Sequence, residues 1–354
     1  MITLRAELAA NLDQPQSLRE ALQIAIELEH ATIPAYLYAL YSIEPGTNVQ
    51  IVAAIKSVVL EEMTHMGLAC NLLNAVGGAP LIAKPEFVPR YPGKLPGSVE
   101  SGLEVGLAPL TLELVEQVFM AIEQPEEPIR FRVREFGVAD RITIGEFYAA
   151  IADQLKASGG SAFTGDPGRQ VTHELGQEGL IAITDLDSAL NAITTIVEEG
   201  EGTQKSPLDQ EGELAHYYRF AEITHGRSLV LNPDVPPDAP PEDHYSYSGA
   251  PIPFDPSGVR NLVVNPRLTP YPADSAAAAA NRNFNYTYTA LLKSLHSTFN
   301  GEPRQLLAAV GLMESAKQIA LEMGEIPANS ESADGPFAGP TFEWQPLNLR
   351  PDST

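Results

Sequence analysis

A chain of 354 residues with 44% apolar and 19% charged residues is globular in composition and long enough to bury a large core. Its 46 acids against 22 bases give a formal charge of -24, which excludes the basic footprint of nucleic-acid binding and any attraction to an anionic membrane surface. The lone cysteine, Cys70, allows no intrachain disulfide and fits a reducing compartment. The opening MITLRAELAANLDQPQ has no apolar core of signal-peptide length, and no stretch reaches the roughly 18 apolar residues of a membrane span. The expected location is the cytoplasm.

In chain order, a first helix is expected after Pro15, with Ser17 as N-cap and Glu20 completing a capping box. Its apolar positions are Leu18, Leu22, Ile26, Ile33, Leu37 and Leu40, and it ends near Pro45-Gly46. A second helix runs from about Val49 to Val76, closed by Gly77-Gly78 and Pro80. After a long Pro/Gly-rich connection, 77–108, a third opens near Pro109 and stops before Pro125. The stretch 129–142 is charged and irregular. Thr143 then caps the short helix TIGEFYAAIADQL, and 158–168 is a Gly/Ser-rich loop. A helix near 185–199 precedes a further one from about Pro207 to Leu231. The proline-dense 232–281 reads as an ordered loop wrapping the helices; a helical pair over 282–325 and an extended tail after Pro327 follow. No strand alternation of any length appears. The expected organisation is a helical bundle with insertions over 1–231, the loop 232–281, and a C-terminal pair and tail, 282–354, packed on the bundle.

Chemistry enters where acids and histidines interrupt apolar stripes. Glu62 and His65 are three residues apart, hence on one helix face, in the stripe Ile51, Ile55, Val58, Ala69, Leu72 and Val76. A carboxylate buried there costs several kcal/mol unless it is paired or bound to metal. Glu29 falls in register with Leu22, Ile26, Ile33 and Tyr36, whereas Glu27, which forms its own Glu-x-x-His with His30, lies on a more polar face. The helix expected over 207–231 offers Glu213/His216 and Glu222/His225; the first pair shares its face with Phe220 and Ile223 and is the preferred one. The third helix offers Glu116 and Glu123, seven apart, with Glu146 on the next helix as a further candidate. Two helices thus present Glu-x-x-His and two present a Glu, the ligand inventory of ferritin-like di-iron or di-manganese bundles. Carboxylates with imidazole suit iron or manganese better than thiolate-loving metals.

The stretches ELEHATIPAYLYALYSI, EEMTHMGLACNLLNAVGGAP, FMAIEQPEE, TIGEFYAAI, HYYRFAEITHGR and AGPTFEW resemble the iminophenyl-pyruvate dimer synthase family, whose named members act in the violacein and rebeccamycin pathways. The resemblance runs from about Ser17 to Trp344. It implies an all-α fold: a ferritin-like four-helix bundle with a long crossover, additional C-terminal helices and a long Pro-rich wrapping loop. It implies metal ligands at Glu29, Glu62, His65, Glu123 and His216, with Glu213 beside the last. Iron, as one or two ions, is the implied cofactor, with manganese the alternative. The pathway enzymes are much larger and only their ferritin-like part is matched, so the fold carries over and their dimerisation reaction does not. The expected function is a metal-dependent oxidoreductase acting on a small organic molecule such as an imino or keto acid. The alternatives are an iron-binding or storage protein and a purely structural bundle; a homo-oligomer is compatible with all three. The length of 232–281 further suggests a lid over the open end of the bundle, with Tyr245, Tyr247 and Phe254 as apolar walls.

Overall fold

The structure, a computed structural model, describes residues 4–97, 103–125, 141–172, 179–201, 206–236, 239–240, 243–329 and 335–346. Most of the charged stretch 129–142 lies outside them. Eight helices account for about half of the described residues. Helix α1 (Pro15–Ser42) and α2 (Val49–Ala75) form the longest packed pair. Both are long because their apolar period is sustained over many turns, and one face of each is buried almost end to end. The capping box expected at Ser17 does not form. Gln14 is the N-cap and Pro15 the first helical residue, where its fixed φ suits the helix and its missing N–H costs nothing.

Helix α3 spans 112–122 and is not uniform: its middle, Val115–Phe119, is a π turn between two short α turns, Leu112–Leu114 and Met120–Ile122. Thr111 caps it by accepting from the Leu114 amide. Helix α4 (Ile144–Ala157) opens on the capping box expected at Thr143, with Glu146 as the reciprocal partner. Helix α5 (Leu186–Glu201) packs on α2, α4 and α6. Helix α6 (His216–His225) is much shorter than the sequence suggests and ends on Gly226 in the left-handed region at φ 66°. Its first expected turns are absent because the Asp209 carboxylate accepts from the amides of Glu211 and Glu213, each at 2.9 Å, and folds 209–213 into a turn.

Helices α7 (Ala276–Thr298) and α8 (Leu306–Met323) pair with each other, and α8 packs on α1. Two short antiparallel ladders complete the fold: β1 (Leu4–Arg5) with β2 (Arg141–Ile142), and β3 (Val230–Leu231) with β4 (Tyr245–Ser246). The segment after β4 is held to the end of the α1–α2 hairpin. Asn48 and Asp255 exchange two hydrogen bonds, the Arg260 amide donates to Ser42 O at 2.7 Å, and the buried Tyr38 hydroxyl donates to Val263 O. The extended tail lies along α7, where Asn285 Oδ1 accepts from the Glu343 amide and Thr289 Oγ1 from the Gln345 amide. Spacings match: two residues of strand advance about 6.8 Å and four of helix about 6.0 Å.

One apolar core runs from Leu4 to Phe342 through all the helices. Among the described residues no helix is long and apolar enough to cross a membrane. The loop after α4 returns tightly onto the end of α2. A Cβ on Gly165 would lie 1.7 Å from Asn74 O, a backbone atom that cannot step aside. Gly165→Ala is therefore expected to cost roughly 1–3 kcal/mol of stability, read as a lower urea midpoint at unchanged m-value.

Candidate metal centre

Five side chains from four helices converge in the core: Glu29 from α1, Glu62 and His65 from α2, Glu123 at the C-terminal end of α3, and His216, the first residue of α6. All five are buried. They form two groups that share Glu62. In one, ligand atoms of Glu29, Glu62 and His65 lie within 4.8 Å of one another; in the other, those of Glu62, Glu123 and His216 do. His65 Nδ1 stands 3.7 Å from Glu29 and 3.8 Å from Glu62. His216 Nδ1 stands 2.9 Å from Glu62 and 3.5 Å from Glu123. The imidazole rings are near parallel with centroids 5.4 Å apart.

The remaining polar atoms of these residues are engaged from outside. Tyr148 on α4 donates to Glu29 at 2.5 Å, Thr32 to Glu62 at 3.0 Å, and Tyr36 to Glu123. His65 Nε2 meets Glu199 of α5 at 2.7 Å, and His216 Nε2 meets Glu61 of α2 at 3.0 Å. Glu61 is itself held by Arg219 at 2.6 Å. Both imidazoles therefore turn Nδ1 toward the carboxylates and Nε2 toward an outer carboxylate, the orientation in which histidine ligates a metal through one nitrogen and is aligned through the other.

Electrostatics make the cluster costly without a cation. Burial, reinforced by the Glu62 charge, pushes the Glu29 carboxyl up to about 8. Burial followed by the Glu62 charge raises Glu123 as well. Burial also opposes ionisation of Glu62, but hydrogen bonds and charge from His216 and His65 outweigh it and hold this carboxyl down at about 2. For His65 burial favours the neutral ring, yet Glu199, Glu62 and Glu29 raise it to about 10; His216 is raised in the same way by Glu123, Glu61 and Glu62 against its burial. Without metal, protons on the imidazoles and on Glu29 supply the compensating charge. A divalent cation would supply it from the centre and displace them.

The residues present fit such an ion. His216 Nδ1 is a fully buried nitrogen with no hydrogen bond of good geometry, although two carboxylates crowd it. That is the position of a ligand atom aimed at a shared ion. Carboxylate and imidazole donors suit iron or manganese.

Glu213 does not join the cluster. It is exposed and sits in the Asp209 turn ahead of α6, so the three-residue spacing to His216 is not a helical spacing and gives no common face. Glu116 points to solvent while Glu123 points in: the π turn between them adds a residue to the turn and breaks the seven-residue register. Glu146 is spent on the α4 capping box. Glu222 accepts from the Leu229 amide and His225 stacks on Tyr247 at 4.0 Å, so that pair closes the end of α6 instead. Glu27 pairs with Lys84, and His30 is buried against Phe87 and Tyr288. Sequence reasoning missed Glu61, Glu199, Thr32 and Tyr148, which the structure places against the cluster.

A cavity of about 60 Å³ adjoins the cluster, with Glu29, Glu62, His65 and Glu123 in its wall together with Tyr148. Apart from Thr32 its other lining is apolar, including Leu28, Leu95, Ile122, Ile144, Ile196 and Val197. None of the described residues of 232–281 lines it, so they are not the wall expected: Tyr247 covers His225, and Phe254 packs on the core. A larger open depression of about 650 Å³ along residues 85–94 contains none of the clustered side chains.

A protein-family model described as Ferritin-like matches residues 22–225, which include the five clustered residues. A ferritin-like protein from Caulobacter vibrioides has a similar crystal structure, at a TM-score of 0.59 and 26% identity over 93% of this chain and 97% of its own. No curated protein matches. Since the matched residues make up more than half of the chain and the carboxylate–imidazole cluster lies among them, this protein belongs to the ferritin-like family.

Proposed function

We propose that the protein is a di-iron oxidoreductase acting on a small organic substrate, with Glu29, Glu62 and His65 holding one ion and Glu62, Glu123 and His216 the other. The observation that carries this reading is a cavity walled by the ligand carboxylates themselves and otherwise mostly apolar, which gives a reactant direct access to the cluster. A site built only to neutralise buried acids has no need of such a space. Bound iron would supply dioxygen binding and the one-electron steps that organic side chains cannot. The protein's own part is to hold, orient and exclude. Ile122, Ile144 and Ile196 keep water from the reactants. Tyr148 lines the cavity with its hydroxyl proton on Glu29, placed to hold or return a proton at that wall.

Size limits the substrate. A cavity of about 60 Å³ is well below the roughly 300–1,000 Å³ of pockets that enclose a whole drug-sized ligand. It admits dioxygen together with the reacting end of a molecule, not a whole aromatic acid. The resemblance to iminophenyl-pyruvate dimer synthases supports a keto- or imino-acid head at that end. In the reaction class envisaged, the substrate gives up two electrons and two protons, and dioxygen accepts them as hydrogen peroxide.

The test is stopped-flow mixing of anaerobically reduced, iron-loaded protein with dioxygen, with and without a panel of small keto and imino acids. The expected result is oxidation accelerated by one class of substrate, with a product two hydrogens lighter. Identical rates across the panel with no organic product would instead favour an iron-binding or storage role.

A further inference from the structure

The two candidate ion positions are built differently. Glu29, Glu62 and His65 all line the cavity, whereas the second group reaches it only through Glu62 and Glu123, and His216 is fully buried and absent from the wall. The outer partner of His216, Glu61, is fixed by Arg219, whose guanidinium also donates to Ser57 Oγ at 3.1 Å and to Leu214 O. All these contacts lie on α2, on α6 and in the turn before it. The outer partner of His65, Glu199, lies instead in the last turn of α5, between Val197 and Gly200, and both of these line the cavity. One turn of helix therefore carries both the cavity wall and the carboxylate that aligns a ligand imidazole.

Resting on the metal-site reading above, we infer that the Glu62–Glu123–His216 position is the permanently filled one, and that the Glu29–Glu62–His65 position is the exchangeable, reactant-facing one, with Glu199 as the positioning residue that couples its ion to occupancy of the cavity. A molecule entering the cavity presses on Val197 and Gly200 and so shifts the carboxylate holding His65 Nε2. Neither His216 nor its Glu61–Arg219 support lines the cavity, so this imidazole is held independently of that event, although its co-ligands Glu62 and Glu123 reach the wall. The outer carboxylates of metal-bound histidines typically change affinity by about 10- to 100-fold when removed.

Cobalt(II) titration of the metal-free full-length chain, followed by visible absorption, tests this, with azide as a small probe of the cavity. Wild type is expected to take up two ions in sequence, and azide should shift the bands of the second alone. Glu199→Ala should raise the dissociation constant of the second ion about 10- to 100-fold and leave the first. Glu199→Gln, which keeps an oxygen acceptor for His65 Nε2, should restore it to within a few-fold. The inference is overturned if Glu199→Ala weakens the first ion, both ions equally, or neither. Wild type that takes up no metal would overturn the metal-site reading beneath it as well.

Discussion

Glu62→Ala is expected to abolish binding of both ions, because Glu62 is the one carboxylate common to the two groups. The consequences for stability are separable. In chelator, the variant loses the carboxylate that His65 and His216 share at the centre of the cluster, and removing one partner of a buried pair costs about 3–5 kcal/mol. In metal, wild type gains a further increment of about 2.7 kcal/mol for each ion when free metal is 100-fold above its dissociation constant, and the variant gains none. Glu213→Ala should leave metal content unchanged and move stability by no more than about 0.5 kcal/mol, since that side chain is exposed and away from the cluster. Metal analysis after desalting and thermal melts with and without chelator check each arm. A Glu62→Ala protein that retained two ions would refute the shared-ligand arrangement.

Phe119→Ala has the second large expected effect. Phe119 is fully buried in the π turn of α3, its ring 4.6 Å from Tyr36 and 5.3 Å from Phe220. Deleting it leaves a cavity beside the Tyr36 and Phe220 rings and should cost about 3–5 kcal/mol by urea denaturation of the metal-free protein. The loss should also reach the cluster. The Glu123 amide donates to Phe119 O at 3.1 Å, and the Tyr36 hydroxyl that packs on Phe119 is the partner of the Glu123 carboxylate. Weakened uptake at the His216 position is expected alongside the stability loss. An equally destabilised protein with wild-type affinity for both ions would show that α3 packing does not position Glu123.

These two residues also mark where sequence reading works and where it stops. Helices α1 and α2 are legible from period alone, since each carries an apolar stripe over more than seven turns. Glu29, Glu62 and His65 are legible as interruptions of those stripes, and the structure brings them together. Helix α6 is not legible in the same way. Glu-x-x-His implies a shared face only if the backbone is helical throughout, and the Asp209 carboxylate turns the chain before it becomes so. The choice between Glu116 and Glu123 depends on a π turn, which the pattern VEQVF does not announce. Glu199 belongs to the acidic run at the end of α5, which reads as a solvated helix end, and Glu61 stands beside Glu62 on an adjoining face. Their roles arise from the packing of α5 and α6 on α2, a tertiary relation no local spacing encodes.

The proposed function requires two ions in the core that share Glu62. Anomalous diffraction at the iron edge from crystals of protein loaded with iron(II) under anaerobic conditions measures this most directly. Two peaks are predicted, one bounded by Glu29, Glu62 and His65 and the other by Glu62, Glu123 and His216, with no peak near Glu213 or Glu222. An empty core after loading, or iron found only among surface carboxylates, would contradict it.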